Sequence, residues 1–225
     1  MKTRRAILGD AIALGVGTGV YAISFGALAV AAGLSAWEAQ ALSLLMFTGA
    51  SQFALIAVVA SGGTAAVAIA TSTLVGTRNA FYGFAMSPVL QPRGARRLLA
   101  AQATIDESTG MAARYDGDRD SARLAFWATA SAIYVLWNLG TLIGALGAGL
   151  IEDPNVFGLD AAAPAAFLAL VWPRLTTWPM RIVAIVSLVT AVALAPFVAA
   201  GVPVLLAGAA GIIVGLILGV RAGED

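Results

Sequence analysis

TAAVAIATSTLVGTRNAFYGFAMSPVL, residues 64–90, is the stretch that decides how this chain is read. It is long enough to cross a bilayer and apolar almost throughout, yet it carries Arg78 and Asn79 near its middle. An arginine deep in a hydrocarbon layer costs roughly 2.5–3.5 kcal/mol on insertion scales. That cost is tolerated where the guanidinium faces a protein interior or a wet cavity and has a partner. Arg78 therefore predicts a polar site at membrane depth that holds an anionic group.

The rest of the chain agrees with a membrane setting. Of 225 residues, 60% are hydrophobic and 11% charged, and the mean hydropathy is +0.90, whereas soluble domains carry about 25% charge. Apolar segments fall near 8–33, 41–60, 64–90, 125–150, 156–172, 182–199 and 202–220. With about 20 residues per span, the expectation is an all-α polytopic bundle of six or seven segments. It forms one transmembrane domain over 1–225, with no separate soluble domain. A net charge of +1 without a basic stripe speaks against a nucleic-acid partner.

Enzyme chemistry is poorly supplied. There is no histidine and no cysteine, which excludes a Ser–His dyad, thiol catalysis and a His-containing metal site. The sole lysine is Lys2, which excludes a Ser–Lys dyad in the membrane, and no facing pair of acids lies within the apolar segments. The chain is expected to be no enzyme, with no cofactor and no metal. Met1-Lys2-Thr3-Arg4-Arg5 before an apolar run resembles a signal peptide, but Ala11–Ala36 exceeds a usual h-region, so a retained first helix is expected.

Residues 91–124 are polar and read as a cytoplasmic connector between two halves. Arg96–Met111 has helix-forming composition suited to the membrane surface, and Tyr115–Asp120 reads as a plain connector. Lys2, Arg4 and Arg5 put the N-terminus in the cytoplasm, and Arg93, Arg96, Arg97, Arg114, Arg119 and Arg123 claim the same side. Three crossings between the clusters would separate them. Either one of the first three apolar segments does not cross fully, or the charge rule fails here. Segment 41–60 is interrupted at Thr48-Gly49-Ala50-Ser51-Gln52, and segment 64–90 at Gly76-Thr77-Arg78-Asn79. Broken or re-entrant helices are allowed at membrane depth only where they line a protein cavity. The acidic loop 151–160 suits the outer side, and Arg174, Arg181 and Arg221 the inner side, with a cytoplasmic C-terminus.

A weak internal repeat accompanies this pattern. Phe25-Gly26-Ala27-Leu28 returns as Ile143-Gly144-Ala145-Leu146, Ser51–Leu55 as Ala165–Ala169, and Val67–Ile69 as Val183–Ile185, at offsets of 118, 114 and 116. Two related halves with a seventh segment appended are an arrangement of transporters that bind substrate near the midplane.

Gly49, Ala50, Ser51 and Gln52 offer unwound backbone, a hydroxyl and a carboxamide to a polar substrate. The competing reading is a small-residue packing face. Gly158–Pro164 is the matching feature of the second half, with Pro164 breaking the helix and Asp160 either in the site or an N-cap. Asp106 and Glu107 are coupling candidates that titrate or pair with Arg78, or else a solvated charge pair. As helix neighbours they point about 100° apart and do not easily face one ligand. Asp10 reads as an interfacial ion pair with Arg4 and Arg5. Trp37, Trp127, Trp137, Trp172, Trp178 and Tyr21 read as an interfacial belt. Glycines 15, 17, 19, 26 and 33, and 140, 144, 147 and 149, read as close-packing faces.

Ser24–Ala29, Ala32–Ser35 and Met46-Phe47-Thr48-Gly49-Ala50-Ser51-Gln52-Phe53 resemble the AzlC family, the large subunit of branched-chain amino acid permeases. Arg78 with Tyr82-Gly83, Asp106-Glu107-Ser108, and Phe157-Gly158-Leu159-Asp160 with Ala165-Ala166-Phe167 are similar to its later blocks. The resemblance implies an inner-membrane transporter subunit that exports hydrophobic amino acids such as valine, leucine, isoleucine and methionine. It also implies a small AzlD-like partner subunit. Where the family commonly has an Asn two residues before the arginine and a His after it, this chain has Gly76 and Asn79. The expected site joins Gly49–Gln52, Arg78, Asn79 and the segment of Asp160 and Pro164. Arg78 attracts the α-carboxylate, unwound backbone near Ser51 holds the ammonium, and apolar surface takes the side chain. The alternative is a structural or assembly subunit with no substrate site of its own.

Overall fold

A computed structural model describes residues 4–148, 168, 171–172, 175–199 and 201–222, and among these it is helical with no strand. The helices are α1 (Arg4–Ala31), α2 (Ala36–Leu45), α3 (Ala50–Ala60), α4 (Ala65–Gly76), α5 (Arg78–Leu90), α6 (Arg96–Ala103), α7 (Asp106–Ala113), α8 (Arg119–Ala148), α9 (Trp178–Leu194) and α10 (Val202–Ala222). Three of them, α1, α8 and α10 over Val202–Gly219, are long and apolar enough to cross a membrane. Asp160, Pro164 and, apart from Leu168, the second half of one repeat pair, Ala165–Ala169, lie outside the described residues.

The centre of the fold is the pair α1 and α8, which run parallel. Gly15 lies against Ala132 and Leu136, and Gly26 against Thr141 and Ala145, so residue numbers rise together along the contact. A methyl on Gly26, Gly140 or Gly144 would collide with the backbone carbonyl of Thr141, Gly19 or Ile23. Small residues let two backbones approach where no hydrophobic drive separates helix from lipid. Gly26 and Gly144, equivalent in the repeat, meet in this contact. Gly33 and Gly147 face open space instead.

Two short helical hairpins enter this frame from opposite ends. The first is α2 and α3. After Gly33, at φ +98°, the chain turns back and Ser35 caps α2 by accepting the Glu38 N–H while the Glu38 side chain accepts the Ser35 N–H. Down α2, Ser43 shares a hydrogen bond with Thr141, and then the Leu44 carbonyl accepts from the Tyr134 hydroxyl. Phe47 packs edge-on to Tyr134 at 5.0 Å. The helix has thus descended only half the length of α8 when it stops. α3 climbs back, with Phe53 stacked on Tyr21 at 4.8 Å and Ile56 in the core with Ala29 and Ala145. A turn at Ser61–Thr64 leads into α4, and α4 and α5 descend the full length with a break at Thr77. At the bottom, Arg123 donates to the Leu90 carbonyl at 2.8 Å, level with the start of α8.

The second hairpin, α6 and α7, corrects the expectation of a surface helix over Arg96–Met111. The helix breaks at Thr104–Ile105, where the backbone is extended, and re-enters the bundle. Ala100, Ala103, Ile105, Met111 and Ala112 form buried faces that surface placement would waste. At its tip Gln102 donates to the Leu44 and Leu45 carbonyls, so the two hairpins meet end to end. α7 then returns, with Met111 against Ile7 and Ala125 and Arg114 3.9 Å from Asp10.

This path places both arginine clusters at one end of the bundle. Between them the chain traverses the bundle twice, by α1 and by α4 with α5, because 41–60 enters and leaves by the same end. The remaining described helices, α9 and α10, pack on each other, with Gly211 against Ser187, and reach α4 through Gly208 and Leu74.

Candidate functional site

Three interruptions of the helical backbone converge: Met46–Gly49 between α2 and α3, Thr77 between α4 and α5, and Thr104–Ile105 between α6 and α7. They enclose a cavity of about 260 Å³. Its wall includes Gly17, Thr18 and Tyr21 of α1 and Ile133 and Trp137 of α8. These lie near the midpoints of helices 28 and 30 residues long. The cavity therefore sits at half the height of the two longest helices.

Each break has a local cause. Gly49 has φ +55°, a left-handed conformation that a Cβ would strain, and its N–H is capped by the Gln52 side-chain oxygen at 3.0 Å. The Ser108 hydroxyl accepts the Ile105 N–H at 3.1 Å and opens α7. At Thr77 the hydroxyl donates to the Leu74 carbonyl at 2.6 Å, a bond internal to the chain that competes with helix continuation.

The charges sit on these breaks. Arg78, first residue of α5, pairs with Asp106, first residue of α7, at 2.7 Å. Its guanidinium also reaches the Thr48 carbonyl at 3.5 Å. The second carboxylate oxygen of Asp106 accepts the Tyr82 hydroxyl at 2.6 Å. Both members of the pair are partly buried, with side-chain exposures of 27% and 18%. An anion at a helix N-terminus is also favoured by the helix dipole. Arg78 thus has the anionic partner its depth requires, supplied by the second hairpin.

Asp106 and Glu107 both line the cavity. That corrects the expectation that adjacent acids would diverge. The 100° argument holds on the flank of a helix, whereas these two occupy its first turn at a hairpin tip, where the cavity lies beyond the end. Of the other expected site residues, Gly49 and Ala50 are on the wall. Ser51 and Gln52 are buried behind it, Ser51 facing Gly76 and Gln52 capping Gly49. Asn79 is half-buried and does not line the cavity.

Tyr21 and Trp137 correct the belt reading. Trp127, Trp172, Trp178 and Trp37 are exposed, but Trp137 is buried and Tyr21 half-buried on the cavity wall. Their positions well inside long apolar runs were the available signal. The Tyr21 hydroxyl, Thr48 hydroxyl, Trp137 Nε and Arg78 Nε are buried with no hydrogen-bond partner among the described residues. Buried polar groups are ordinarily satisfied, and each orphan costs roughly 1–3 kcal/mol. These four belong to residues on the wall of one cavity. The rest of the wall is apolar, formed by Phe47, Ile105, Ile133 and the Trp137 ring.

Among the described residues no group of three or more acidic, histidine or cysteine side chains could hold a metal ion. In comparison with known proteins, the model of the family described as AzlC protein matches residues 13–151. No curated protein and no solved structure matches the chain.

Proposed function

From the premise that this chain belongs to the AzlC family, a family of membrane transporter components, we propose that it exports hydrophobic, branched-chain amino acids across the inner membrane. Its substrate site is the cavity where the three backbone breaks converge. The observation that carries the reading is the Arg78–Asp106 ion pair on the wall of a cavity whose wall also holds Glu107 and the apolar side chains of Phe47, Ile105 and Ile133.

A zwitterionic amino acid complements that wall. Its carboxylate goes to Arg78, assisted by the Tyr21 hydroxyl and Trp137 Nε. Its ammonium goes to the carboxylates of Asp106 and Glu107, which are better placed than the backbone at Ser51, buried behind the wall. Phe47, Ile105 and Ile133 receive the side chain. Burying a leucine or valine side chain is worth roughly 1.5–3 kcal/mol, enough to favour it over glycine by about tenfold or more. The reading includes a small AzlD-like partner subunit and a cytoplasmic N-terminus.

The test is efflux. Cells fed leucine- or valine-containing dipeptides are compared with and without this gene and a neighbouring small membrane-protein gene. Lower internal leucine and valine with both genes supports the proposal; equal levels reject it.

A further inference from the structure

A second cavity, of about 790 Å³, lies between α5 and α6 at the arginine-bearing end of the bundle. Met86, Leu90 and Ala100 form the buried apolar part of its wall, Phe84 and Ala101 stand exposed at its edge, and Arg93 and Arg97 also line it. We infer that this is a binding site for an anionic phospholipid, with the headgroup phosphate on Arg93 and Arg97 and the start of an acyl chain along Phe84.

Charge accounting points to an anion. Arg78 pairs with Asp106, and Arg114 with Asp10. Arg119 and Arg123 donate to the Pro88, Val89 and Leu90 carbonyls and so close the end of α5. Among the described residues no carboxylate pairs with Arg93, Arg96 or Arg97, and Arg97 reaches only the Pro92 carbonyl at 3.2 Å. Three cations of this end that have no carboxylate partner are thus gathered on and beside one cavity, while Arg4 and Arg5 stand on α1 and do not line it.

The surroundings select a lipid over a free ion. Phe84, which lines the cavity, is 76% exposed and offers at its mouth an apolar surface that suits an acyl chain. A cluster of arginines where apolar helices meet the headgroup layer attracts anionic lipid. The same cavity touches Thr104, two residues from Asp106, and lies between α5, which begins at Arg78, and α6, whose hairpin partner α7 begins at Asp106. An occupant there braces the second hairpin against α5.

The test uses the full-length protein in detergent, titrated with phosphatidylglycerol, phosphatidylcholine of the same chains, or inorganic phosphate, and read by native mass spectrometry of retained ligand. Phosphatidylglycerol is expected to be retained at least fivefold over phosphatidylcholine, and the preference to vanish in the Arg93→Gln/Arg97→Gln double variant. Ala101→Trp keeps every charge but fills the cavity, and should lose the same preference. Equal retention of the two lipids overturns the proposal. So does undiminished preference in Ala101→Trp, which would mean general surface attraction, or competition by phosphate at equal concentration, which would mean an ion site.

Discussion

Arg78 is tolerable at membrane depth because Asp106 neutralises it and the Thr48 carbonyl lies within reach. Removing one partner of a buried pair leaves an uncompensated charge, so the two residues fail differently. Arg78→Ala is expected to cut efflux by at least tenfold while the protein still folds, as read by dipeptide-fed efflux beside size-exclusion profiles; unchanged efflux would discard the carboxylate role. Tyr82→Phe removes one hydrogen bond to Asp106, a loss of roughly 1 kcal/mol, and should lower efflux by less than Asp106→Asn does. A Tyr82→Phe defect equal to that of Asp106→Asn would show that the hydroxyl does more than orient the carboxylate.

At the scale of elements, the interruptions matter as much as the helices. Gly49→Ala forces a Cβ into a left-handed residue, at roughly 1–2 kcal/mol, and should lower thermal stability and disturb transport together. Gly26→Val should be worse, because its side chain meets the Thr141 backbone rather than a movable side chain; a melting temperature within error of the parent would refute that packing. A pH effect belongs at the start of α8. The Ser121 hydroxyl and N–H hold the Asp118 carboxyl below the ordinary aspartate value, so the cap stabilises the native state above that value and is lost as pH falls through the lowered one. Amide exchange at 119–122 should therefore accelerate only under strong acid in the parent, and already at neutral pH in Asp118→Ala.

For the whole molecule, the decisive claim is that 41–60 enters and leaves by one end. The chain has no cysteine, so single-cysteine labelling is clean. Cysteines at Gly33 and Gly62, both glycines in turns with open space around them, should be labelled from one side of the membrane, and those at Gly94 and Gly117 from the other. Labelling of positions 33 and 62 from opposite sides would make α2 and α3 a full crossing and dissolve the site.

Composition and hydropathy by themselves determined that this chain is a bundle of apolar helices. One arginine within an apolar run, set against the charge rule, pointed to a broken helix in 41–60 or in 64–90, with failure of the charge rule as the alternative. Burial energy is summed along a segment, so such features are readable from local sequence. Which residues meet was decided only by the tertiary structure. The sequence leaves Asp106 and Glu107 open between coupling candidates that titrate or pair with Arg78 and a solvated charge pair, because nothing in their neighbours tells that Thr104 and Ile105 fold the chain back into the bundle. Trp137 looked interfacial because an indole is at home both in a belt and on a cavity wall. The pairing of Arg78 with Asp106 spans 28 positions of chain, and a contact at that distance comes from how two hairpins and a broken helix stack, which no local pattern encodes.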